Sequence, residues 1–294
     1  MSDYTPAATG TGVRARVQRA GAFLAGMVMP NLGAFIAFGL VTTLFIPNGW
    51  VNKIAGTQTD VSTQISTIVG PLIVILIPIL IGYTGGKMIH GVRGAVVGAV
   101  ATVGVMMAPV AMQLAAPGLN GAEAATPPQN IAEIGPAILG ALIIAPLAAL
   151  ALKAWDRFIS GKVKGGFEML VDNFSSGIIG SIAAIIGLYI IGPITFWIST
   201  GLGQAVNALV QAKLLPLVSI VIEPAKVLFL NNAINHGVLT PLGAAQAADA
   251  GKSIMFMLES NPGPGLGILT AMLLFGPRAI RPTVSAAMVV HFLG

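Results

Sequence analysis

The sequence predicts an all-α membrane protein, a polytopic bundle of transmembrane helices. Hydrophobic residues make up 55% of the 294 residues and charged residues only 9%, whereas an ordinary soluble domain carries about 25% charged residues. The mean hydropathy is +0.88. The chain also contains 37 glycines, whose small size lets helices pack closely in lipid. A water-soluble surface cannot be built from this composition.

Five segments meet or approach the length and apolarity of a membrane span. A hydrocarbon core of about 30 Å requires roughly 20 apolar residues in a helix. The segments are 20–46, 65–82, 95–116, 134–152 and 177–199. Two further stretches, 214–230 and 254–275, are apolar but interrupted. We therefore expect broken helices or re-entrant hairpins in the C-terminal half, arranged around a cavity.

The predicted domain organisation is a cytoplasmic N-terminal tail, residues 1–19, followed by one membrane-embedded domain, residues 20–294. The run 20–46 is too long for the apolar region of a signal peptide, so we expect it to be retained as the first helix. A last apolar segment begins near Thr283 and stops at Gly294. We therefore expect the domain to be truncated at its C-terminal end.

The basic residues indicate which helix ends face the cytoplasm. The chain has 15 Lys and Arg, but they are scattered and lack interleaved aromatics on a polar face, which argues against nucleic-acid binding. A cytoplasmic N-terminus gives a positive-inside bias, with Lys53 and Lys213 on the other side. The cytoplasmic basic residues are then Arg14, Arg16, Arg19, Lys87, Arg93, Lys153, Arg157, Lys162 and Lys164.

Segment 158–176 is amphipathic, and we expect it to form a helix along the cytoplasmic interface. A soluble linker is the alternative, because Gly165 and Gly166 weaken a helix. His90 lies in a short predicted turn, where a solvated histidine is favoured. His291 is expected to serve in packing or capping.

The predicted binding site lies between Glu223 and Gly265. Polar side chains occur there in otherwise apolar sequence, and ionisable groups at membrane depth are costly unless they pair or face water. The candidate binding residues are Glu223, Asn231, Asn232, Asn235, His236 and Glu259. Amides, carboxylates and a histidine suit a neutral, hydroxyl-rich ligand because together they donate and accept hydrogen bonds. A phosphate would require more basic groups than Lys226 and Lys252.

These residues also have structural interpretations. Glu223 and Lys226 are three residues apart and can form an ion pair on one helix. The three asparagines can cap the ends of broken helices. His236, which precedes Gly237, can serve in packing. The residues alone leave both readings open.

The sequence contains no cysteine, no Walker loop, no metal-binding His/Glu helix pattern and no Gly-x-Ser-x-Gly elbow. These absences argue against a disulfide framework, a thiolate nucleophile and an ATP-driven or hydrolytic role. We therefore predict no catalytic residue, no metal site and no cofactor in this chain.

Five stretches of the sequence together resemble one family. They are MVMPNLGAFIAFGLVTTLFIPNGW (27–50), LIGYTGGKMIHGVRGAVVGA (80–99), KGGFEMLVDNFSSGIIG (164–180), EPAKVLFLNNAINHG (223–237) and GKSIMFMLESNPGPGLG (251–267). In these stretches the chain resembles the mannitol-specific enzyme IIC, the permease component of the bacterial phosphoenolpyruvate-dependent phosphotransferase system. The resemblance covers nearly the whole chain, and NNAINHG with NPGPG is a specific combination.

The resemblance implies mannitol uptake across the bacterial cytoplasmic membrane, coupled to its phosphorylation to mannitol 1-phosphate. The phosphoryl donor would be a phosphocysteine on an enzyme IIB partner, which this cysteine-free chain lacks. It also implies a multi-pass homodimer in which the asparagines and His236 form the polar binding motif and Glu223 and Glu259 lie near the substrate. Cytoplasmic loops carrying Lys87, Arg93 and Lys162 are the expected docking ground for the partner.

Members of that family continue with Gly-Ile-His-Glu-Ile-Tyr-Phe-Pro after His-Phe-Leu-Gly, whereas this sequence stops at Gly294. The missing glutamate predicts weak or no mannitol transport by residues 1–294 alone. Two other hypotheses stay open from the residues. One is an ion- or proton-coupled secondary polyol transporter with His236 and Glu259 as proton relays. The other is a catalytically idle structural or dimerisation fragment.

Overall fold

The computed structural model of the protein describes residues 12–47, 49–115, 137–214, 217 and 262–293. Every regular element in these ranges is a helix, which confirms the all-α prediction for the described part of the chain. Contacts divide the chain into two units, Met1–Gly237 and Val238–Gly294, each of which is described by itself.

The helices of the first unit are α1 (Val13–Val28), α2 (Leu32–Phe45), α3 (Trp50–Ala55), α4 (Asp60–Ser66), α5 (Val69–Pro71), α6 (Ile77–Met106), α7 (Ala108–Ala115), α8 (Ile138–Ile159), α9 (Glu168–Ile186) and α10 (Gly192–Gln211). A 3₁₀ segment, Met29–Asn31, joins α1 to α2 at Pro30. Two π-helical turns, Leu72–Leu76 and Gly187–Ile191, join α5 to α6 and α9 to α10.

Four helical stretches in the described residues are long and apolar enough to cross a membrane. They are Arg19–Ala55, Asp60–Met112, Ile138–Ile159 and Glu168–Ile198. The second has 53 residues, far more than the roughly 20 that one crossing needs, and it contains the predicted span 65–82 and most of the predicted span 95–116. The chain is therefore a multi-pass membrane protein.

Helix α6 is a helical hairpin rather than one straight rod. His90 (φ −146°, ψ 41°) and Gly91 (φ 59°, ψ −151°) leave the helical conformation and reverse the chain. The positive φ of Gly91 is a conformation that residues with a Cβ rarely adopt. We call residues 77–89 the first arm of the hairpin and residues 92–106 the second arm.

The two arms pack against each other through glycine. A Cβ added to Gly86 would clash with the carbonyl oxygen of Gly94, and a Cβ added to Gly98 would lie 2.5 Å from the carbonyl oxygen of Gly82. These pairs run in opposite directions along the chain, so the arms are antiparallel. Small residues allow such close approach of backbones in a membrane, where dispersion contacts rather than hydrophobic burial drive association.

The second arm lies at the centre of the first unit. It packs against α8 and α9 as well as the first arm, and its contact with α9 is again close, because a Cβ on Gly104 would clash with the carbonyl oxygen of Ala184. The apolar core on this arm consists of Val97, Ala101, Val105, Met106, Ala137, Ile144, Ala148, Leu152 and Ala183. On the first arm, Met27 and Val28 of α1 pack with Ile77 and Ile81.

The prediction of one interfacial helix over 158–176 is wrong. Helix α8 continues to Ile159, and α9, the next membrane-crossing stretch, begins at Glu168. Turns occupy the residues between them, where Gly166 has a φ of 91° and its backbone N–H donates to Glu168 Oε2 at 2.8 Å. Gly166, one of the two glycines expected to weaken a helix, thus lies in the non-helical connection just before α9. The amphipathic pattern of 158–176 arises from the end of α8 and the start of α9.

Asn52 organises the connection at the opposite end of the unit, between α3 and α4. Its Nδ2 donates to the carbonyl oxygen of Ile46 at 3.0 Å, and its Oδ1 accepts from the Thr59 backbone N–H at 3.0 Å and from Ser62 Oγ at 2.6 Å. Asn52 and Ser62 are both buried, so the hydrogen bonds satisfy polar groups that water does not reach. This cluster therefore has a structural explanation.

The described residues of the second unit form α11 (Pro262–Phe275), a 3₁₀ turn (Arg278–Ile280) and α12 (Arg281–Leu293). Helices α11 and α12 contact each other. Their described parts have 14 and 13 residues. The interrupted apolar segments and the re-entrant hairpins expected in this half stay predictions.

Candidate functional site

The substrate-binding residues predicted from the sequence lie outside the described residues. They are Glu223, Asn231, Asn232, Asn235, His236 and Glu259. Their assignment as a binding site therefore stays a prediction. In the described part of the chain, no group of three or more His, Cys, Asp or Glu side chains is arranged to hold a metal ion.

The described residues bring one cluster of ionisable side chains together at the hairpin turn. It links the turn of α6 to the last turns of α8 and the first turns of α9. We call this cluster the polar junction; its members are His90, Arg93, Asp156, Asp172, Ser175 and Ser176.

Arg93 is the centre of the polar junction. Its Nη1 forms ion pairs with Asp156 Oδ2 and, at 3.2 Å, with Asp172 Oδ1. Its Nη2 donates to the carbonyl oxygen of Asp172 at 2.9 Å and to Ser175 Oγ at 2.8 Å, and its Nε donates to Ser176 Oγ at 3.1 Å. These contacts match the five N–H donors of a guanidinium, so this one side chain joins three helices.

The sequence interpretation of His90 as a solvated loop histidine is wrong. His90 Nε2 lies 2.6 Å from Asp156 Oδ2, and the two side chains are 26% and 17% exposed. The same carboxylate oxygen contacts Arg93, while Asp156 Oδ1 is buried without a partner among the described contacts. One guanidinium therefore faces two carboxylates at this junction, and the His90 ring contacts one of them.

Arg93 is therefore not an exposed docking residue, which corrects the expectation for this side chain. The exposed basic residues at this end of the unit are instead Lys87, Lys153, Arg157, Lys162 and Lys164. Helix α1 runs antiparallel to the first arm, because Met27 lies against Gly85 whereas Asn31 reaches Leu80. Its N-terminal residues thus lie at the same end, which is the basic end of the first unit.

Asn31 is a further polar residue that the sequence analysis missed. It ends the 3₁₀ segment after Pro30, within an apolar stretch. Its Nδ2 lies within hydrogen-bonding distance of Met27 O (2.9 Å), Thr84 Oγ1 (3.0 Å) and Leu80 O (3.3 Å). The sequence feature that could have indicated this residue is an asparagine directly after a proline inside a predicted span. Here the amide joins the break in α1–α2 to the first arm, which is a structural role.

Comparison with known proteins decides the family. The chain matches the family described as "Phosphotransferase system, EIIC" over residues 25–294. The chain belongs to the phosphotransferase-system EIIC family. A multi-pass helical unit with several apolar spans agrees with an EIIC permease.

Relatives within the EIIC family are similar over almost the whole chain. "PTS system mannitol-specific EIICB component" of Halalkalibacterium halodurans is 50% identical over 281 residues, which cover 96% of this chain and 53% of that protein. "PTS system mannitol-specific EIICBA component" of Vibrio cholerae is 48% identical over 281 residues, covering 96% of this chain and 38% of that protein. The corresponding EIICB component of Bacillus subtilis is 45% identical over 283 residues, 52% of its length. No solved structure matches the chain.

The chain thus spans about half the length of the EIICB relatives, and less of the EIICBA relative. The names of these longer EIIC relatives also include a B component, or B and A components.

Proposed function

We propose that this chain is the permease part of a system that takes up mannitol across the bacterial cytoplasmic membrane and phosphorylates it to mannitol 1-phosphate. The observation that carries the proposal is the 50% identity, over 96% of this chain, to a relative named as mannitol-specific. An ion- or proton-coupled carrier has no comparable support.

The phosphoryl donor in this proposal is a phosphorylated enzyme IIB, either a separate protein or a further part of a longer chain. The B component in the names of the relatives supports this partner. The described chain supplies no cysteine to carry the phosphoryl group. The protein's own contribution is then to hold mannitol so that its hydroxyl meets the donor, since phosphoryl transfer depends mainly on positioning and electrostatics.

We assign mannitol binding to Glu223, Asn231, Asn232, Asn235, His236 and Glu259, on the chemical grounds given for a neutral polyol. The N-terminus and the basic end of the first unit face the cytoplasm in this proposal, in keeping with the positive-inside rule. The bound enzyme IIB would approach that end. A homodimer completes the proposal by resemblance to the family.

Uptake of radiolabelled mannitol tests the coupling. The chain, extended after Gly294 by the remaining EIIC residues of a mannitol-specific relative, is expressed with an enzyme IIB partner in bacteria that lack their own mannitol uptake. We expect accumulation of mannitol 1-phosphate that requires phosphoenolpyruvate and the partner and persists with a protonophore. Accumulation of free mannitol that needs no partner and stops with the protonophore would overturn the proposal in favour of a secondary carrier.

Binding of mannitol to isolated membranes tests the site separately. Replacing His236 with Ala is expected to weaken binding about tenfold, the effect of losing roughly one hydrogen bond, while the protein still inserts into the membrane. Gln64→Ala, a change of an exposed polar residue in α4, is the control and should leave binding unchanged. Equal binding by both variants would remove His236 from the site.

A further inference from the structure

An apolar groove lies between α8 and α9 in the first unit. Its volume is about 710 Å³. Helix α8 lines it with residues at helical spacing from Ile144 to Phe158, and α9 lines it with Ile179, Ile182 and Ile186. Every lining side chain is aliphatic or aromatic. Leu147, Phe158 and Ile182 are more than half exposed, so the groove opens to the surroundings of the helices.

The chemistry of the groove excludes a polar ligand and suits an alkyl chain. A polyol or a peptide backbone would lose hydrogen bonds to water and find no partner on these walls. The groove extends along α8 over 15 residues, from Ile144 to Phe158, a rise of about 21 Å at 1.5 Å per residue, whereas half a hydrocarbon core is about 15 Å. One acyl chain of a lipid leaflet therefore fits along its length.

The groove ends at the basic end of the unit. Phe158 forms this end, and the Nζ atom of Lys162 lies 3.7 Å from the centre of its ring. Trp155 lies beside Phe158, with ring centres 5.8 Å apart. Aromatic and basic side chains are the residues that proteins place at the boundary between hydrocarbon and headgroups. Arg157 and Lys164 are exposed nearby, while the Glu168 carboxylate accepts a backbone hydrogen bond.

We propose that the groove binds one acyl chain of an anionic phospholipid, whose headgroup phosphate contacts Lys162. Charge complementarity favours this occupant over a second copy of the chain. Two copies that share one membrane orientation and meet groove to groove would bring their Lys162 side chains to the same level, so like charges would face each other. An anionic headgroup instead neutralises this end.

Fluorescence of Trp155 tests the proposal, because this residue lines the groove. The chain has three tryptophans, so Trp50 and Trp197 are replaced by Phe. The protein is reconstituted in phosphatidylcholine vesicles that contain increasing fractions of lipid with brominated acyl chains, which quench tryptophan on contact. We expect brominated phosphatidylglycerol to compete for the groove about fivefold better than brominated phosphatidylcholine, an effect of about one basic residue.

Three variants give the proposal its controls. Lys162→Gln should bring the ratio of phosphatidylglycerol binding to phosphatidylcholine binding close to one. Lys53→Gln is the matched control, because Lys53 also lies over an aromatic ring, 5.9 Å from the centre of Trp50, but in the connection at the other end; it should retain the preference. Ala151→Phe should fill the groove and reduce quenching by both brominated lipids.

Two outcomes would overturn the proposal. One is equal quenching by both lipids in the parent protein, or the same loss of preference in the Lys162 and Lys53 variants. The other is an Ala151→Phe protein that folds, loses self-association and keeps the lipid preference, which would make the groove an interface between copies. If Ala151→Phe fails to fold, the comparison of the two lysine variants still tests whether Lys162 gives the groove its preference for the anionic lipid.

Discussion

At the scale of single residues, the polar junction depends on the shape of one side chain. A guanidinium presents five donors in a plane, and Arg93 directs them to acceptors on two other helices. Lysine carries the same charge but only three donors on one nitrogen, so it cannot reach the two carboxylates and the two hydroxyl groups together. The junction is thus selective for arginine rather than for a positive charge.

Arg93→Lys should lower the stability of the protein by about 2–3 kcal/mol, because several hydrogen bonds to charged groups are lost at once. Thermal unfolding in detergent, followed by loss of monodisperse protein, measures the effect. Lys87→Gln is the matched control, since Lys87 is an exposed basic residue on the adjacent turn of the first arm, and it should unfold like the parent. Identical unfolding of Arg93→Lys and the parent would show that the junction does not stabilise the fold.

His90 shows why residue-level prediction from sequence failed here. The histidine and Asp156 are 66 residues apart, and nothing local to either residue reveals the other. Loop histidines are usually solvated, so the sequence favoured that interpretation. The pairing becomes visible only when the hairpin turn and the end of α8 meet at one end of the unit. The six predicted binding residues stay untested, because they lie outside the described residues.

At the scale of elements, the two arms of the α6 hairpin pack closely because glycines, which have no side chains, line their interface. Gly82 and Gly86 on the first arm face Gly98 and Gly94 on the second, and backbone meets backbone there. Hydropathy clearly indicated two spans, 65–82 and 95–116. It did not show that the helices extend almost to each other, because residues 83–94 contain glycines and charged side chains that hydropathy assigns to a loop.

Gly86→Ala should separate the arms of the hairpin, because its Cβ would clash with the carbonyl oxygen of Gly94. A backbone oxygen cannot move aside as a flexible side chain can. We expect a destabilisation of about 2–3 kcal/mol, the upper part of the range for overpacked sites. Gly33→Ala is the matched control, since an added Cβ at this helical position in α2 meets nothing within 4 Å. The two variants are compared by thermal unfolding in detergent. A Gly86→Ala protein as stable as Gly33→Ala would contradict the close packing.

At the scale of the whole molecule, the arrangement of charges predicts the orientation in the membrane. The N-terminal end of α1, the hairpin turn and the connection from α8 to α9 share the basic end of the first unit, while Lys53 lies in the connection between α2 and α4. Under the positive-inside rule, we propose that the basic end lies in the cytoplasm. The side on which each end lies can be measured directly, because the sequence contains no cysteine.

Single cysteines at two exposed positions should react differently with a membrane-impermeant maleimide. Gln58→Cys, in the connection between α3 and α4, should be labelled in intact cells. Gly165→Cys, in the connection between α8 and α9, should be labelled only after the cells are permeabilised. Both positions are exposed, so accessibility within the fold is matched. The reverse pattern would invert the proposed orientation.

The sequence predicted the class of fold for a general reason. Apolar composition and span length are local properties, and lipid leaves few architectures for a chain whose backbone must be hydrogen-bonded internally. The ends of the individual helices were harder to predict than the class of fold. Helix α8 extends to Ile159, beyond the predicted end at residue 152, and its Asp156 forms an ion pair with Arg93 and contacts His90. Where distant charges pair, hydropathy alone misplaces the end of a helix.

The separation of Arg93 from its partners also imposes an order on biogenesis. Arg93 precedes Asp156 by 63 residues, so at a synthesis rate of about 5–20 residues per second it emerges roughly 3–13 s before that carboxylate. The glycine contacts between the arms lie within residues 77–106, so they can form in the bilayer during this interval. The contacts of Arg93 with Asp156 and Asp172 can form only after α8 and α9 have been synthesised. We therefore expect the junction to be the last part of this hairpin to form.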